Sequence, residues 1–370
     1  MSRRLVPPAG APDPALAQLR AEVRAFLKEQ IEAGVFTPGI DTWLTQWNGD
    51  FTRSLAAKGW LGMTIPTEYG GHGRTFMERF VVTEELLAVG APVAAQWVAD
   101  RQAAPSLLKY GTEEQKKRFL PGIAAGEICW AIGMSEPESG SDLASVKTRA
   151  VQVDGGWNIT GTKLWTSGAH HADAFFGLAR SAPLDPAHRH DGLSQFIVLL
   201  DSPGVHHFNE VILDDVFVPD ELVLGSIGSG WEQVTSELGF ERSGPERFLS
   251  TFGVLEGMVR GVAAGTAEPD TRIGATIGRV VGLHRMSSAV SESLGRGENA
   301  ELAASVVKVL GTQLEGDLAD LADETAGYVS SDDHLAQLIR AGVMQRPGFT
   351  LRGGTSEILR GVIARGLGLR

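Results

Sequence analysis

The sequence contains almost no cysteine, since Cys129 is the single one among 370 residues. One cysteine cannot close a disulfide within its own chain, so a disulfide-stapled secreted scaffold is excluded. Cys129 lies in the apolar run 128–132, which predicts a buried, unreactive thiol. The chain also lacks an apolar run of membrane-spanning length and, near residue 1, the apolar core of a secretory signal. We therefore expect a cytoplasmic protein without a membrane partner.

Basic residues are outnumbered by acidic ones. The 33 lysines and arginines face 45 aspartates and glutamates, which leaves a net charge of −12 at pH 7. This balance argues against nucleic acid or an anionic membrane as the main partner, because both carry the same sign of charge. It does not exclude a small anionic ligand, since a few clustered basic groups can hold phosphates. The 43% hydrophobic and 21% charged residues are typical of a globular protein.

The hydrophobic pattern of the first third predicts helices. Apolar residues recur every three or four positions over 16–31 and again over about 78–89. Thr112 and Gln115 form a capping-box pattern that opens another helix, and Pro121-Gly122 predicts its end.

From residue 128 the hydrophobic period changes to two. Strands are predicted at 147–153, 157–165, 174–178, 196–200 and 211–218, with a hairpin turn at 154–156 and a surface loop at 181–191. Beyond Gly230 helical spacing returns, in a long apolar stripe at 302–321 and in a last helix with Thr355 as its N-cap. We predict an α+β protein with a helical domain at 1–127, a β domain at 128–228 and a second helical domain at 229–370.

The segment 133–142 has the composition of a ligand-contacting loop. Its glycines let backbone amides approach a ligand closely, and Ser135 and Ser141 add hydroxyl groups. A plain polar turn set by Pro137 and Gly140 explains these ten residues equally well. The segment 157–167, Trp-Asn-Ile-Thr-Gly-Thr-Lys-Leu-Trp-Thr-Ser, then follows downstream.

Together these two segments resemble the acyl-CoA dehydrogenase family. The resemblance extends to 59–62, 66–71, 110–116 and 353–358, and so covers nearly the whole chain in the family's order. It implies the helical, β, helical architecture, FAD as cofactor and an acyl-CoA as substrate. It also implies an electron-transfer flavoprotein as electron acceptor and a homo- or hetero-oligomer, either a dimer or a tetramer.

The resemblance further implies a set of flavin contacts. The backbone of 132–135 and the Ser135 hydroxyl would meet the pyrimidine edge, Trp165 would stack on the ring, and Ser167 would lie near N5. The full set of predicted cofactor-binding residues is Ile132, Met134, Ser135, Gly140, Ser141, Trp165, Thr166, Ser167, Thr355 and Glu357. Core packing is the alternative for Trp165, a turn for Ser167 and a simple helix cap for Thr355.

Dehydrogenation requires a carboxylate that takes the α proton of the substrate. Many family members place it just before the Gly-Thr of the C-terminal motif, where this chain has Gly353. A second branch places it on the helix after the β domain, just before an arginine, where this chain has Glu241 and Arg242. The resemblance therefore implies Glu241 as the base, with Gly353 contributing a backbone N–H to the substrate carbonyl. Ser141, Phe240 and Arg242 are the predicted substrate contacts.

The local pattern favours Glu241 independently. An apolar row on one helix face consists of Trp231, Val234 and Leu238, and Glu241 extends it. A carboxylate that faces inward needs a partner or a chemical role. The alternative is a structural ion pair of Glu241 with Arg242 or Arg247.

Two family motifs that reach the FAD of a neighbouring subunit are altered. In Arg-x-x-Phe-Gly the arginine position is Asp270, although Ile273-Gly274 match its end, and Gln-x-x-Gly-Gly is missing near 326–328. These departures leave two alternatives, in which FAD is held differently or is held with the help of a non-identical partner chain. Alternative functions are a non-catalytic subunit that completes the FAD site of a paralogue and an oxygen-using flavoenzyme. The runs around His170-His171 and Glu241-Arg242 resemble bacterial members that act on steroid-type or other bulky acyl-CoAs, some of them heterotetramers. No metal spacing is present.

Overall fold

The computed structural model describes residues 13–325 and 333–369, and residues 239–241 through their backbone only. Its α-helices are α1 Pro14–Glu32, α2 Thr42–Thr45, α3 Gly49–Ala57, α4 Phe76–Ala88, α5 Ala94–Val98, α6 Ala104–Tyr110, α7 Glu113–Ala125, α8 Gly230–Glu241, α9 Phe252–Ala263, α10 Thr271–Gly295, α11 Glu301–Thr325, α12 His334–Phe349 and α13 Ser356–Gly366. Its strands are β1 Trp130–Gly133, β2 Arg149–Val153, β3 Gly156–Lys163, β4 Ala174–Arg180, β5 Leu193–Leu199, β6 Val205–His207, β7 Val211–Pro219 and β8 Val223–Leu224. The predicted order of helices, strands and helices is confirmed.

Helix ends follow local side-chain chemistry. The capping box predicted at α7 is present. The Thr112 hydroxyl accepts from the Gln115 backbone N–H, and the side-chain oxygen of Gln115 accepts from the Thr112 backbone N–H. The predicted end at Pro121-Gly122 is wrong, because α7 continues through Pro121 to Ala125. Gly126 ends it instead, with a φ of +71° that favours glycine.

The strands form one eight-stranded sheet in the order β6-β7-β3-β2-β4-β5-β8, with β1 parallel to β4. β2 and β3 pair antiparallel around Gly155, whose φ is +74°, so the predicted hairpin is confirmed. β1 ends at Gly133, directly before the loop that the sequence singled out. The sheet therefore places segment 133–142 at a strand end.

Contacts between Cα atoms divide the chain into two compact units. The first contains the described residues of Met1–Trp47, Arg74–Val93 and Glu241–Arg370, and its core lies among α9, α10, α11 and α12. The second contains Asn48–Gly73 and Ala94–Phe240, with its core on the sheet and on α6 and α7. The three-domain division at 127 and 228 stays a prediction.

The predicted apolar row on α8 is confirmed. Val234 is buried, and the partly buried Trp231 and Leu238 pack beside it against Val146, Leu178 and Leu193. The predicted stripe on α11 is confirmed in part, because Leu314 and Leu318 are buried whereas Leu310 is 45% exposed. Among the described residues, none of the helices is long and apolar enough to cross a membrane.

Candidate functional site

The loop after β1 is organised around the buried carboxylate of Glu136. Its Oε1 accepts from the backbone N–H of Thr148 at 2.9 Å, and its Oε2 accepts from that of Lys147 at 2.6 Å. Lys163 Nζ, at the end of β3, donates to Glu136 Oε1 at 2.7 Å. Burial alone would raise the pKa of Glu136, but the Lys163 charge and these N–H donors hold its pKa below the usual range.

Trp165 has an unusual backbone and an exposed ring. Its φ of +59° lies in the left-handed region, which a tryptophan rarely occupies, and its side chain is 81% exposed. The core-packing alternative for Trp165 is therefore wrong. Backbone strain at an exposed aromatic residue commonly marks a ligand site.

The residues after Trp165 also suit a bound heterocycle. Thr166 is fully buried, and its hydroxyl lacks a hydrogen-bond partner among the described residues. Ser167 is exposed, and the preceding turn is held by a bond from the Thr166 N–H to the Asn209 carbonyl at 3.0 Å. An exposed ring followed by a buried hydroxyl without a partner fits the flavin that the sequence predicts.

The other predicted flavin contacts of this unit lie in the segment that follows β1 or at its last residues. Leu164 donates its N–H to the Ser135 carbonyl at 2.8 Å, so segments 132–135 and 164–167 are directly joined. Ile132, Met134 and Ser135 are partly buried, whereas Gly140 and Ser141 are exposed. The structure thus brings these two predicted segments together in the second unit.

The remaining predicted residues belong to the first unit. Gly353 and Gly354 have φ of +66° and +88°, and the Thr355 hydroxyl caps α13 by accepting from the Ile358 N–H at 3.4 Å. The Glu357 pKa is lowered, chiefly by its own backbone N–H and by the Thr355 hydroxyl. Two N–H groups at this helix start are already bonded within the chain, that of Ser356 to the Thr350 carbonyl and that of Ile358 to Thr355.

Arg242 is tied to the glycine turn. Its Nε donates to the Gly353 carbonyl at 2.9 Å, and the residue is buried. A Cβ added at Gly354 would lie 3.3 Å from Arg242 Nη2, so the turn leaves little room beside the guanidinium. The side chains of Phe240 and Glu241 lie outside the described residues, and the backbone of Glu241 ends α8. The roles predicted for all three residues stay predictions.

Sequence reasoning missed a buried polar network beside this turn. Arg352 pairs with Asp41, whose side chain is 1% exposed, and its guanidinium lies 4.6 Å from the Trp43 ring centre. Glu315, on α11, is fully buried and accepts from the Ser250 N–H at 2.8 Å. The one sequence feature near this network is the motif at 353–358, which Arg352 directly precedes.

Burial raises the pKa of Glu315 to about 7, although Arg352 opposes this shift. Because the folded state binds the proton more tightly, the contribution of Glu315 to stability is complete below about pH 4.5 and is lost as the pH rises through about 7. We expect Glu315→Gln to reduce the change in unfolding free energy between pH 5 and pH 8 by up to about 3 kcal/mol. Urea titrations across this range measure it. Glu301→Gln, at an exposed position of α11, is the control, and an unchanged pH profile in Glu315→Gln would contradict the prediction.

The ring of His170 stacks on Phe208 and is tilted against the ring of His171. His170 lies 4.0 Å from His171 and 5.1 Å from the exposed Phe208, measured between ring centres. Within 13–325 and 333–369, groups of three or more potential metal ligands are absent. Cys129 is free and partly buried, and burial raises its pKa to about 11, so the thiol stays protonated at neutral pH.

Comparisons with known proteins show which family this chain belongs to. The model of the acyl-CoA dehydrogenase N-terminal domain matches residues 13–127, and that of the middle domain matches 131–212. Acyl-CoA dehydrogenase IpdE1 of Mycobacterium tuberculosis is 33% identical over 95% of this chain and 97% of its own. FadE34 of the same organism is also 33% identical, and the match spans 85% of this chain but 45% of FadE34.

Solved structures show the same fold. The Tcur3481-Tcur3483 steroid ACAD is 29% identical with a TM-score of 0.85, over 100% of both chains. The ChsE4-ChsE5 complex from Mycobacterium tuberculosis is 28% identical with a TM-score of 0.78, over 97% of this chain and 99% of the other. Since the matched domains carry the candidate flavin loop and a relative matches over nearly its whole length, this chain belongs to the acyl-CoA dehydrogenase family and is an FAD-dependent oxidoreductase.

Proposed function

We propose that this protein catalyses α,β-dehydrogenation of an acyl-CoA thioester, with Glu241 as the base. The bond from Arg242 Nε to the Gly353 carbonyl carries this assignment, because it links the residue after Glu241 to the turn where many family members place their base. Gly353 has no side chain to act there. Glu241, at the end of α8, directly precedes Arg242, which is bonded to that turn, and is therefore our candidate for the base.

Each group of residues has a separate task in this mechanism. Glu241 takes the α proton of the substrate, and a backbone N–H of the Gly353 turn holds the thioester carbonyl, which makes that proton more acidic. When bound, the flavin supplies the acceptor for the β hydride, which no protein side chain can provide. Ser135, Trp165 and Ser167 orient that acceptor, while Ser141, Phe240 and Arg242 contact the substrate.

The substrate is a bulky acyl-CoA of branched, cyclic or steroid type. Support comes from the Tcur3481-Tcur3483 structure, which is described as a steroid ACAD and matches over the whole chain. An electron-transfer flavoprotein accepts the electrons in this proposal, and the protein works in the cytoplasm as a dimer or tetramer. The negative net charge of the chain is compatible with that location.

A second candidate function is that of a non-catalytic subunit that completes the FAD site of a paralogue. Asp270 favours it, because it stands where the family has an FAD-binding arginine and instead caps α10 by accepting from the Arg272 N–H at 2.7 Å. Two structural neighbours also bear the names of two components. Co-expression with a paralogous chain, followed by measurement of FAD content, separates the two functions.

We expect the purified protein to show flavin absorption bands that bleach without oxygen when a steroid-type acyl-CoA is added. The measurement is a visible spectrum before and after addition of a panel of acyl-CoAs from short linear to polycyclic chains. Bleaching by linear esters alone would contradict the substrate class. A colourless protein that FAD does not reconstitute would favour the partner-subunit function, and peroxide formed during aerobic turnover would favour an oxidase.

A further inference from the structure

A buried ion pair in the second unit joins the two segments that are predicted to contact the flavin. The side chains of Lys163 and Glu136 are 0% and 6% exposed, and Lys163 Nζ lies 2.7 Å from Glu136 Oε1. Removing two charges from water is costly, and apolar side chains of similar size commonly serve stability as well or better. A contribution to stability is therefore a weak reason for Lys163 and Glu136 to be buried as an ion pair.

The hydrogen bonds of the pair hold the backbone in several places. Glu136 accepts from the N–H groups of Lys147 and Thr148, which fixes the chain that enters β2. Lys163 donates a further bond to the Met134 carbonyl at 3.2 Å. The pair thus connects the loop after β1, the start of β2 and the end of β3.

The same bonds constrain both predicted flavin-contacting segments. The bond from Lys163 to the Met134 carbonyl sets the plane of the peptide that carries the Ser135 N–H. The next residue after Lys163, Leu164, donates to the Ser135 carbonyl at 2.8 Å, and the strained Trp165 follows directly. Moving Lys163 would consequently shift the amides of 134–135 and the ring of Trp165 together.

We propose that Glu136 and Lys163 are positioning residues for FAD, which hold the loop after β1 and the Trp165 segment in the geometry that binds the isoalloxazine ring. An apolar pair of the same volume would fill the space but could not orient the Met134 carbonyl or the two N–H groups that Glu136 receives. Preorganised donors bind a ligand better than donors that must be ordered on binding. The inference rests on FAD binding, and does not depend on Glu241 or on the identity of the acyl-CoA.

The test uses the full chain stripped of FAD and titrated with FAD by fluorescence quenching. The variants are Lys163→Met, the double variant Glu136→Gln with Lys163→Met, and the milder Glu136→Gln. Lys147→Met is the matched control, because the Lys147 side chain is exposed and pairs with the exposed Glu138, whereas its hydrogen bond to Glu136 comes from the backbone N–H. Thermal melting of each apoprotein reports stability separately.

We expect Lys147→Met to keep the wild-type Kd for FAD within twofold. Lys163→Met leaves a buried carboxylate without its cation, so both its melting temperature and its FAD affinity fall. The double variant removes both charges and recovers most of the melting temperature, yet its Kd stays at least tenfold above wild type. Its flavin absorption band also shifts, since the ring environment differs.

A double variant with wild-type melting temperature, Kd and flavin spectrum would overturn the inference. If the Lys163 variants do not fold, Glu136→Gln decides the matter: a threefold to tenfold rise in Kd supports the positioning role, and an unchanged Kd rejects it. Bleaching of wild-type flavin by acyl-CoA tests the proposed function separately. Failure of that bleaching with intact FAD binding would leave this inference standing.

Discussion

Glu241→Gln is expected to keep the yellow cofactor and to lower the rate of dehydrogenation by about 10³-fold. The amide is nearly the same size as the carboxylate, so the end of α8 keeps its shape, but it cannot accept the α proton at neutral pH. The measurements are FAD content from the visible spectrum and the rate of anaerobic flavin bleaching by an acyl-CoA that bleaches the wild type.

Glu232→Gln is the matched control for Glu241, because Glu232 is an exposed carboxylate on the same helix. It should leave the bleaching rate within about twofold of wild type. Wild-type bleaching in Glu241→Gln would remove Glu241 from the mechanism and favour its alternative role in an ion pair with Arg242 or Arg247. A rise in KM with unchanged kcat would place Glu241 in substrate binding instead of proton transfer.

Arg352→Met is expected to lower the free energy of unfolding by about 3 kcal/mol at pH 7. The substitution leaves Asp41 buried without its cation, and burial already raises the pKa of Asp41 against the influence of Arg352. At pH 5 the loss should be smaller, because an unpaired Asp41 can take up a proton. Urea denaturation at both pH values measures the difference. Because Arg352 precedes Gly353, kcat should also fall in this variant.

The control for Arg352→Met is Arg346→Met, on α12. Arg346 pairs with Asp320, but both side chains are nearly half exposed, at 46% and 45%. Exposed pairs contribute little, so this variant should change stability by less than about 1 kcal/mol. Equal effects of the two substitutions would contradict the idea that burial, and not pairing alone, makes the Arg352–Asp41 contact important.

Several elements were predictable from sequence because their signals are local. The capping box at Thr112, the N-cap at Thr355 and the hairpin around Gly155 each depend on residues within four positions of one another. The end of α7 was not predictable from Pro121, because a proline lacks one N–H yet a helix packed on neighbours tolerates that loss, while Gly126 supplies the left-handed residue that ends it.

For the candidate site, the sequence predicted which segments contribute but not how they are held together. The resemblance located the segments around Ser135 and Trp165, and the structure joins them through Leu164 and Lys163. The implied stacking of Trp165 on a flavin is compatible with its exposed ring, but nothing in the sequence predicted its left-handed backbone. The residue after Trp165 is held by a bond from the Thr166 N–H to the carbonyl of Asn209, which comes from a distant part of the chain, and no local pattern predicted this bond.

The sequence by itself determined the family, the cofactor and the order of helices and strands, because these depend on contiguous motifs and on local periodicity. The tertiary structure alone decided which charges are buried and paired. Lys163 meets Glu136 across 27 positions, and Arg352 meets Asp41 across 311. Such pairs leave no periodic trace in a single sequence, since each depends on where separate elements pack and on how far that packing removes both charges from water.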